Sequence, residues 1–395
     1  MGYIGLPTAL MMASHGVNVI GTDYNAERIN ELNHGGKAFE EKGLAELFDA
    51  ARTAGIRFSE QYQKADVYIV SVPTPYIKQT RKIDPHYVVT ACQSVLDICD
   101  DNAILVVEST ISPGTIDKFV RPLLNGRKIR LAHAPERIIP GNMLQELVHN
   151  SRTIGVDDKD TGEIIKSLYA SFCEGEIVVT DIRTAEMSKV VENTFRDINI
   201  AFANELAKIC HEAGMDVYEV IRIANRHPRV NILTPGPGVG GHCISVDPWF
   251  LVGDYPKLAS LIHTAREVND GMPAFVLKRI GEIMKENGMD DLSRVGLYGL
   301  TYKENVDDTR ESPTLQLLDV IRCTERNMPQ VYDPFVSRDI VPNQHHDLAS
   351  FLDACDLVVI MVGHSELRDD LSVLDGKIVF DTRHIMPERD RCYTL

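Results

Sequence analysis

Short β-branched runs alternate with longer amphipathic stretches over the first half of the chain. Val17–Asp23, Val67–Val72 and Ala103–Glu108 are near-continuous apolar runs, the pattern of strands buried on both faces. The stretches between them carry helical spacing, so the rhythm predicts a doubly wound α/β sheet. From about Thr184 to Ala213 the pattern changes. Glu, Ala, Lys and Asn dominate without a turn signal, which predicts one helix of some 30 residues, near 45 Å long at about 1.5 Å per residue. After about Ser293 the α/β rhythm returns in Arg294–Leu300, Gln330–Pro334, Leu357–Val362 and Lys377–Asp381. The expected architecture is therefore two doubly wound domains, residues 1–180 and 291–395, joined by a helical middle domain, 181–290. Its long helix is of a length to connect domains and to supply a dimer face.

Composition narrows the function. A chain of 395 residues exceeds one ordinary core, and 44% apolar with 25% charged residues is the balance of a soluble globular protein. A net charge of −16 without any Lys/Arg block argues against a general nucleic-acid binder. An anionic ligand must be met by local basic residues and helix N-termini. The eight cysteines are scattered and none forms a Cys-x-x-Cys pair, so neither a metal site nor a disulfide framework is expected. Cys92 and Cys99 read as core residues. With no apolar stretch near 20 residues and no signal-peptide pattern, the reading is a cytoplasmic enzyme without membrane partners.

The chain opens Met1-Gly2-Tyr3-Ile4-Gly5-Leu6-Pro7-Thr8-Ala9. This matches the last four positions of Gly-x-Gly-x-x-Gly, followed by a helix expected over Ala9 to His15. Asp23 ends the next strand about 20 residues on. In such a motif the glycines admit a pyrophosphate to a helix N-terminus, and the acid meets the ribose 2′-OH. A carboxylate would repel a 2′-phosphate, so NAD is favoured over NADP. The other reading of so short a motif is a tight turn. Its first glycine and the preceding strand do not occur in the sequence, so the first Rossmann-like sheet is expected to lack its first strand.

A second segment, Gly238-Val239-Gly240-Gly241-His242-Cys243-Ile244-Ser245-Val246-Asp247-Pro248, carries chemistry. Its glycines allow close backbone approach to a bulky ligand. The thiol can attack that ligand, and the carboxylate four residues on can orient partners. Alone, Cys243 reads equally as a small buried hydrophobe.

Taken together the motifs resemble the UDP-glucose/GDP-mannose dehydrogenase family from end to end. They are Gly-Tyr-Ile-Gly-Leu-Pro at 2–7, Val-Pro-Thr-Pro at 72–75, Glu-Ser-Thr at 108–110, Ala-Pro-Glu-Arg at 134–137, and Glu186-Met187-Ser188-Lys189 with Asn193. Gly-Gly-His-Cys at 240–243 follows, then Lys303 and Asp307-Asp308-Thr309-Arg310-Glu311-Ser312-Pro313. The stretches 192–199 and 226–232 look closest to members that oxidise UDP-N-acetyl-D-mannosamine. Glu304 departs from the proline frequent after the Lys303 position.

The resemblance implies four-electron oxidation of the sugar C6 alcohol to a carboxylate with two NAD⁺, through a thiohemiacetal and a thioester on Cys243. The product would be a uronic-acid precursor of surface polysaccharide. Lys189 and Asn193 would meet the developing oxyanion, Asp247 would orient Lys189 or water, and Thr110 and Glu136 would position the hydrolytic water and the nicotinamide end. Gly2, Tyr3, Ile4, Gly5, Asp23, Arg28, Thr74, Thr110 and Arg310 are the NAD candidates. For the UDP-sugar they are Glu136, Arg137, Ile138, Lys189, Asn193, Arg196, His227, Arg229, Gly240, Tyr302, Lys303 and Arg383. The resemblance also implies a homodimer, with Arg229 reaching the neighbouring site. UDP-N-acetylglucosamine or UDP-glucose are alternative substrates. A UDP-sugar-binding protein silenced by its shortened fingerprint is the alternative of another class. A two-electron hydroxyacid dehydrogenase leaves Cys243 without a role.

Overall fold

The computed structural model describes residues 1–36, 39, 41–139, 141–325 and 327–395. It divides into two compact units, Met1–Glu192 and Asn193–Leu395.

Unit 1 begins with α1 (Gly5–Ser14), β1 (Ile20–Thr22), β2 (Arg57–Ser59), β3 (Val67–Val70), β4 (Ile104–Val107) and β5 (Arg130–His133). It continues through β6 (Arg152–Val156), α2 (Lys159–Tyr169) and β7 (Ile177–Thr180). A five-stranded sheet runs in the order β3-β4-β5-β6-β7, with Val70 opposite Val107 and Val107 opposite His133. All its pairs are parallel except β5 with β6. Every residue of β4 is buried, as its unbroken Ile-Leu-Val-Val run requires of a central parallel strand. Helix α1 starts at Gly5, four residues earlier than the sequence pattern suggests, because Leu6 and Leu10 already pack on Ile29, Leu32 and Phe58.

Strands β1 and β2 form a separate parallel pair, Ile20 opposite Arg57. The expected strand from Val17 is correspondingly short, since only Ile20–Thr22 meet a partner strand. Between β1 and β3 lies a cavity of about 510 Å³. Thr8, Ala9 and Met12 of α1 line it, with Ile20 and Thr22 of β1 and the whole of β3. This slot separates the two sheets.

Helix α3 (Ile182–Ala213) has 32 residues, about 48 Å at 1.5 Å per residue, and the division between the units falls within it. Unit 2 carries α4 (Asp247–Asp254), α5 (Ser260–Asp270), β8 (Val295–Tyr298), β9 (Gln330–Tyr332), β10 (Gln344–His345), β11 (Leu357–Ile360), β12 (Ile378–Asp381) and β13 (Cys392–Thr394). Its six strands are all parallel in the order β10-β9-β8-β11-β12-β13. Both directions of winding leave from β8, the arrangement of a doubly wound sheet. Ala203, Ala207 and Cys210 of α3 share the core of this unit with Val295, Leu297, Val359 and Phe380.

A buried polar cluster ties α3 to α5. Arg266 Nη1 donates to Asp197 Oδ1 at 2.6 Å, Asn269 Nδ2 donates to the same oxygen at 2.8 Å, and Asn204 Nδ2 donates to Asn269 Oδ1 at 2.8 Å. Among the described residues no helix is long and apolar enough to cross a membrane, and no cysteine is in a disulfide.

The slot makes one expectation concrete. Extending the chain before Met1 by five or six small and β-branched residues should seat a parallel strand between β1 and β3. The calorimetric midpoint should rise by at least about 5 °C. An unchanged midpoint would show that the slot is not a strand position.

Candidate active site

Loops that follow parallel strands gather at one edge of the sheet, where doubly wound folds take their ligands. In unit 1 two such loops are stitched together. Ser109 Oγ donates to the Val72 carbonyl and accepts from the Val72 N–H, both at 2.7 Å. The stitch holds Thr74 and Thr110 on adjoining loops.

The glycine turn enters α1, whose first turn has no acidic residue and no side-chain cap. Its positive dipole end suits a diphosphate. At Gly5 a Cβ would lie 3.3 Å from that of Ser71, so the turn passes close to the β3 loop. Asp23 follows β1, with Oδ1 accepting from Asn25 N–H at 2.9 Å and Oδ2 bound to the Met1 amino group at 2.5 Å. Burial pushes its carboxyl up, but the amino terminus, Asn25 and Arg28 outweigh this and hold it below the usual range. Arg28 donates to the Met1 carbonyl at 3.0 Å, and Tyr3 lies 4.4 Å from the Phe39 ring. The glycine turn, the helix N-terminus and the strand-end acid fit NAD.

Glu136 is buried in the loop after β5. Its Oε1 accepts from the Arg137 N–H at 2.6 Å, and its Oε2 accepts from Arg152 Nη2. The Arg137 side chain is already engaged, by Glu192 at 2.6 Å, the Ser151 carbonyl at 2.5 Å and Thr153 Oγ1 at 3.0 Å. Ile138 is buried, and so is Lys189 on α3. Glu186, one turn before Lys189, accepts from the N–H groups of Gly114 and Ile116 at 2.5 and 3.0 Å. It thereby anchors the segment that follows Thr110. Burial pushes the Glu186 carboxyl up to about 7 against those two donors.

In unit 2 the cysteine loop closes on itself. The N–H groups of Val246 and Asp247 donate to the Cys243 carbonyl at 3.1 and 2.9 Å, and Cys243 is exposed at the head of this turn. Asp247 opens α4, is buried, and accepts from Asn193 Nδ2 at 2.6 Å. The two glycines before the cysteine are sterically required. A Cβ on Gly240 would lie 2.5 Å from the Glu311 carbonyl oxygen and 2.7 Å from Tyr302 Cβ, and Gly241 has φ +85°. Gly241 N–H donates to the Arg310 carbonyl at 3.0 Å. The Arg310 guanidinium grips Asp308 at 2.5 Å. Arg383 Nη1 lies against Gly236, and the Lys303 carbonyl accepts from Thr301 Oγ1 at 2.9 Å.

Unit 2 thus brings together Asn193, Cys243 and Asp247, and sets Gly240 against Tyr302 and Glu311, with Gly241 bonded to the Arg310 carbonyl. Arg196, His227 and Arg229 are exposed outside this cluster. Sequence reasoning missed the residues that hold the loops. Asn199 pairs with Asn231 and Leu233 at 2.9 and 3.1 Å, and Asn204 accepts from Gly236 N–H at 2.9 Å. Arg152 was missed too, although an arginine opening the apolar run Arg-Thr-Ile-Gly-Val was a visible signal.

Known proteins resemble the chain along nearly its whole length. A UDP-N-acetyl-D-mannosamine dehydrogenase of Methanocaldococcus jannaschii is 44% identical over 98% of this chain and 91% of its own. An NDP-N-acetyl-D-galactosaminuronic acid dehydrogenase of Ralstonia nicotianae is 40% identical over 97% and 94%. Among solved structures, a UDP-D-ManNAc dehydrogenase from Pyrococcus horikoshii superposes with a TM-score of 0.91 at 36% identity, covering all of this chain and 97% of its own. The UDP-N-acetyl-mannosamine dehydrogenase of Staphylococcus aureus gives 0.89 at 42%, over 100% and 96%. Residues 1–173 match the family's NAD binding domain, 183–271 its central domain and 296–388 its UDP binding domain. On these matches the chain belongs to the UDP-glucose/GDP-mannose dehydrogenase family.

Proposed function

We propose that this chain oxidises UDP-N-acetyl-D-mannosamine at C6 to the uronate, in four electrons, in the cytoplasm and for surface polysaccharide. The observation that carries the reading is the exposed Cys243 on a glycine-clamped turn beside the buried Asp247–Asn193 pair. A two-electron oxidation needs no nucleophile; a thiol at this position supports two successive oxidations of one carbon. The substrates named for the relatives from Methanocaldococcus, Pyrococcus and Staphylococcus support the sugar.

The 2–5 turn with Asp23, Thr74 and Thr110 would hold NAD, which would supply the hydride acceptor for both oxidations of C6. The protein's own groups do the rest. Lys189 takes the hydroxyl proton and offers its positive charge to the oxygen that becomes negative. Cys243 adds as thiolate to the aldehyde carbon, giving a thiohemiacetal. Loss of its second hydride and the hydroxyl proton leaves a thioester. Water, deprotonated by Glu136 and steadied by Thr110, adds to the thioester carbon, and the carbon–sulfur bond breaks to release carboxylate and thiolate. Asn193 has two amide protons. One holds Asp247 and the other serves the oxyanion. Asp247, fixed in this way, orients Lys189.

In this reading residues 1–180 bind NAD, 181–290 supply the nucleophile and the dimer face, and 291–395 bind the UDP end through Tyr302, Lys303 and Arg383. Arg137, Ile138, Arg196, His227 and Gly240 shape the sugar pocket, and Arg310 meets NAD. The dimer face is supported by Phe195, Phe202 and Ile209, 66, 50 and 52% exposed at sevenfold spacing along α3. Large apolar side chains exposed in such a stripe mark association.

With limiting UDP-N-acetyl-D-mannosamine, NADH yield is expected to approach two per sugar. Cys243→Ala should cut turnover by several orders of magnitude. A yield of one, or an active Cys243→Ala enzyme, would overturn the thioester mechanism. Mixing two inactive variants, Arg229→Ala and Cys243→Ala, tests the shared site. Random re-pairing should restore roughly a quarter of wild-type activity if Arg229 serves the neighbour, and none if it serves its own chain.

A further inference from the structure

Beneath the loop that carries Glu136, unit 1 buries more charge than its fold needs. Glu108, at the end of β4, is fully enclosed. Ser71 Oγ is bonded to its Oε2 at 2.5 Å, and Tyr169 OH donates to its Oε1 at 3.0 Å. Arg152, the first residue of β6, is 4% exposed and lies with its guanidinium 4.3 Å above the Tyr169 ring and 5.5 Å from that of Phe172. Its Nη2 donates to Glu136 Oε2, while its Nη1 stands 3.9 Å from Glu108 Oε1. Among the described residues, Arg152 Nε and Nη1 have no hydrogen-bond partner.

One guanidinium thus serves two carboxylates. A structural ion pair has one acid per cation with the remaining donors satisfied, and well-packed apolar residues often replace it without loss. Here both acids ionised would leave a net negative charge out of contact with water, a costly arrangement. The other groups around Glu108 do not neutralise it. His133 of β5 gives its Nδ1 to the Val107 carbonyl at 2.8 Å, and burial drives its imidazole down to about 4, so it is neutral. Burial holds the Tyr169 hydroxyl well above its usual range. The Cys173 thiol donates to the Asn150 carbonyl at 3.4 Å.

We infer that Arg152 is a positioning residue shared between Glu136 and Glu108, and that Glu108 is the counter-acid whose proton compensates the charge of Glu136. This rests on the role given to Glu136 above. In the resting state Glu136 is the carboxylate bonded to Arg152, and Glu108 keeps a proton, which accounts for the 3.9 Å separation. When Glu136 takes a proton from the attacking water, its ion pair with Arg152 is lost. Glu108 then releases its proton through the Ser71 hydroxyl to water in the cavity that both residues line, and its carboxylate replaces Glu136 on the guanidinium. As Glu136 returns its proton to water, Glu108 recovers one, and the cluster has the same total charge throughout. Burial, opposed by Arg152, pushes the Glu108 carboxyl up to about 7, within the range where such an exchange operates.

Two measurements on the full chain test this. Infrared difference titration without substrate should show one buried carboxylic acid losing its proton near neutral pH. The band should vanish in Glu108→Gln and return in Glu108→Asp. In Tyr169→Phe its midpoint should rise, since a hydroxyl donor to the carboxylate is removed. In turnover, Glu108→Gln should lower kcat about tenfold or more, because no counter-acid then replaces Glu136 on Arg152, and Glu108→Asp should restore it; KM for the sugar nucleotide should hold. An unchanged band in Glu108→Gln and Tyr169→Phe, or an unchanged kcat in Glu108→Gln, would reduce the cluster to a structural role and overturn the inference. A chain that shows the titrating band but oxidises no UDP-sugar would sink the functional reading and leave the counter-acid standing.

Discussion

The site depends above all on amide and carboxylate side chains along one buried edge of the long helix. Asn193 takes hold of Asp247, Asp197 binds Arg266 and Asn269, and Asn204 accepts from the backbone of Gly236. Each bond reaches into a different part of the segment around the nucleophile. Buried amides are costly when unpaired, typically 1–3 kcal/mol each, so the helix and these loops order together. A loop rich in glycine and proline gains a defined conformation only because something rigid holds it from one side. Here the rigid element is helical backbone, the support on which functional groups are placed most accurately.

Much of the fold was legible because it obeys simple periodicities. Ile-Leu-Val-Val and Leu-Val-Val-Ile could only be central parallel strands, and both are buried at every position. The long helix was legible from the lack of any turn signal. The strand expected from Val17 was overextended, because apolar character speaks of burial while strand identity needs a neighbour. Cys243 and Asp247 were legible together because they share one glycine-rich segment; Asn193 entered only through the family resemblance, and its bond to Asp247 is visible only in three dimensions. Arg152 and Glu108 were not. Their meaning lies in a juxtaposition across three strands, from residue positions 44 apart, and sequence spacing carries no trace of that. Glu186 was visible within its motif but had no role until the N–H groups of Gly114 and Ile116 were seen to converge on it.

Tight packing and chemistry meet at Gly240. The missing side chain there lets the cysteine turn lie on the Glu311 carbonyl and the Tyr302 ring, which links the turn to the loop after β8. Segments distant in sequence are thereby held in register by contact alone, without a single covalent cross-link. Of the other seven cysteines, Cys92, Cys99, Cys173, Cys210 and Cys355 are buried, while Cys323 is exposed and Cys392 half-buried.

The split sheet of unit 1 has a consequence for its motions. The β1–β2 ribbon shares no backbone hydrogen bond with the five-stranded sheet; it is kept in place by side chains that pack on α1. A two-stranded ribbon is marginal by itself, so it forms a cooperative opening unit of lower stability than the main sheet. Amide hydrogens of Ile20–Thr22 and Arg57–Ser59 exchange in that unit's own breathing rather than in global unfolding. Asp23 rides on the same ribbon. Dinucleotide captured there would damp the breathing, and part of its binding free energy would be consumed in ordering the ribbon.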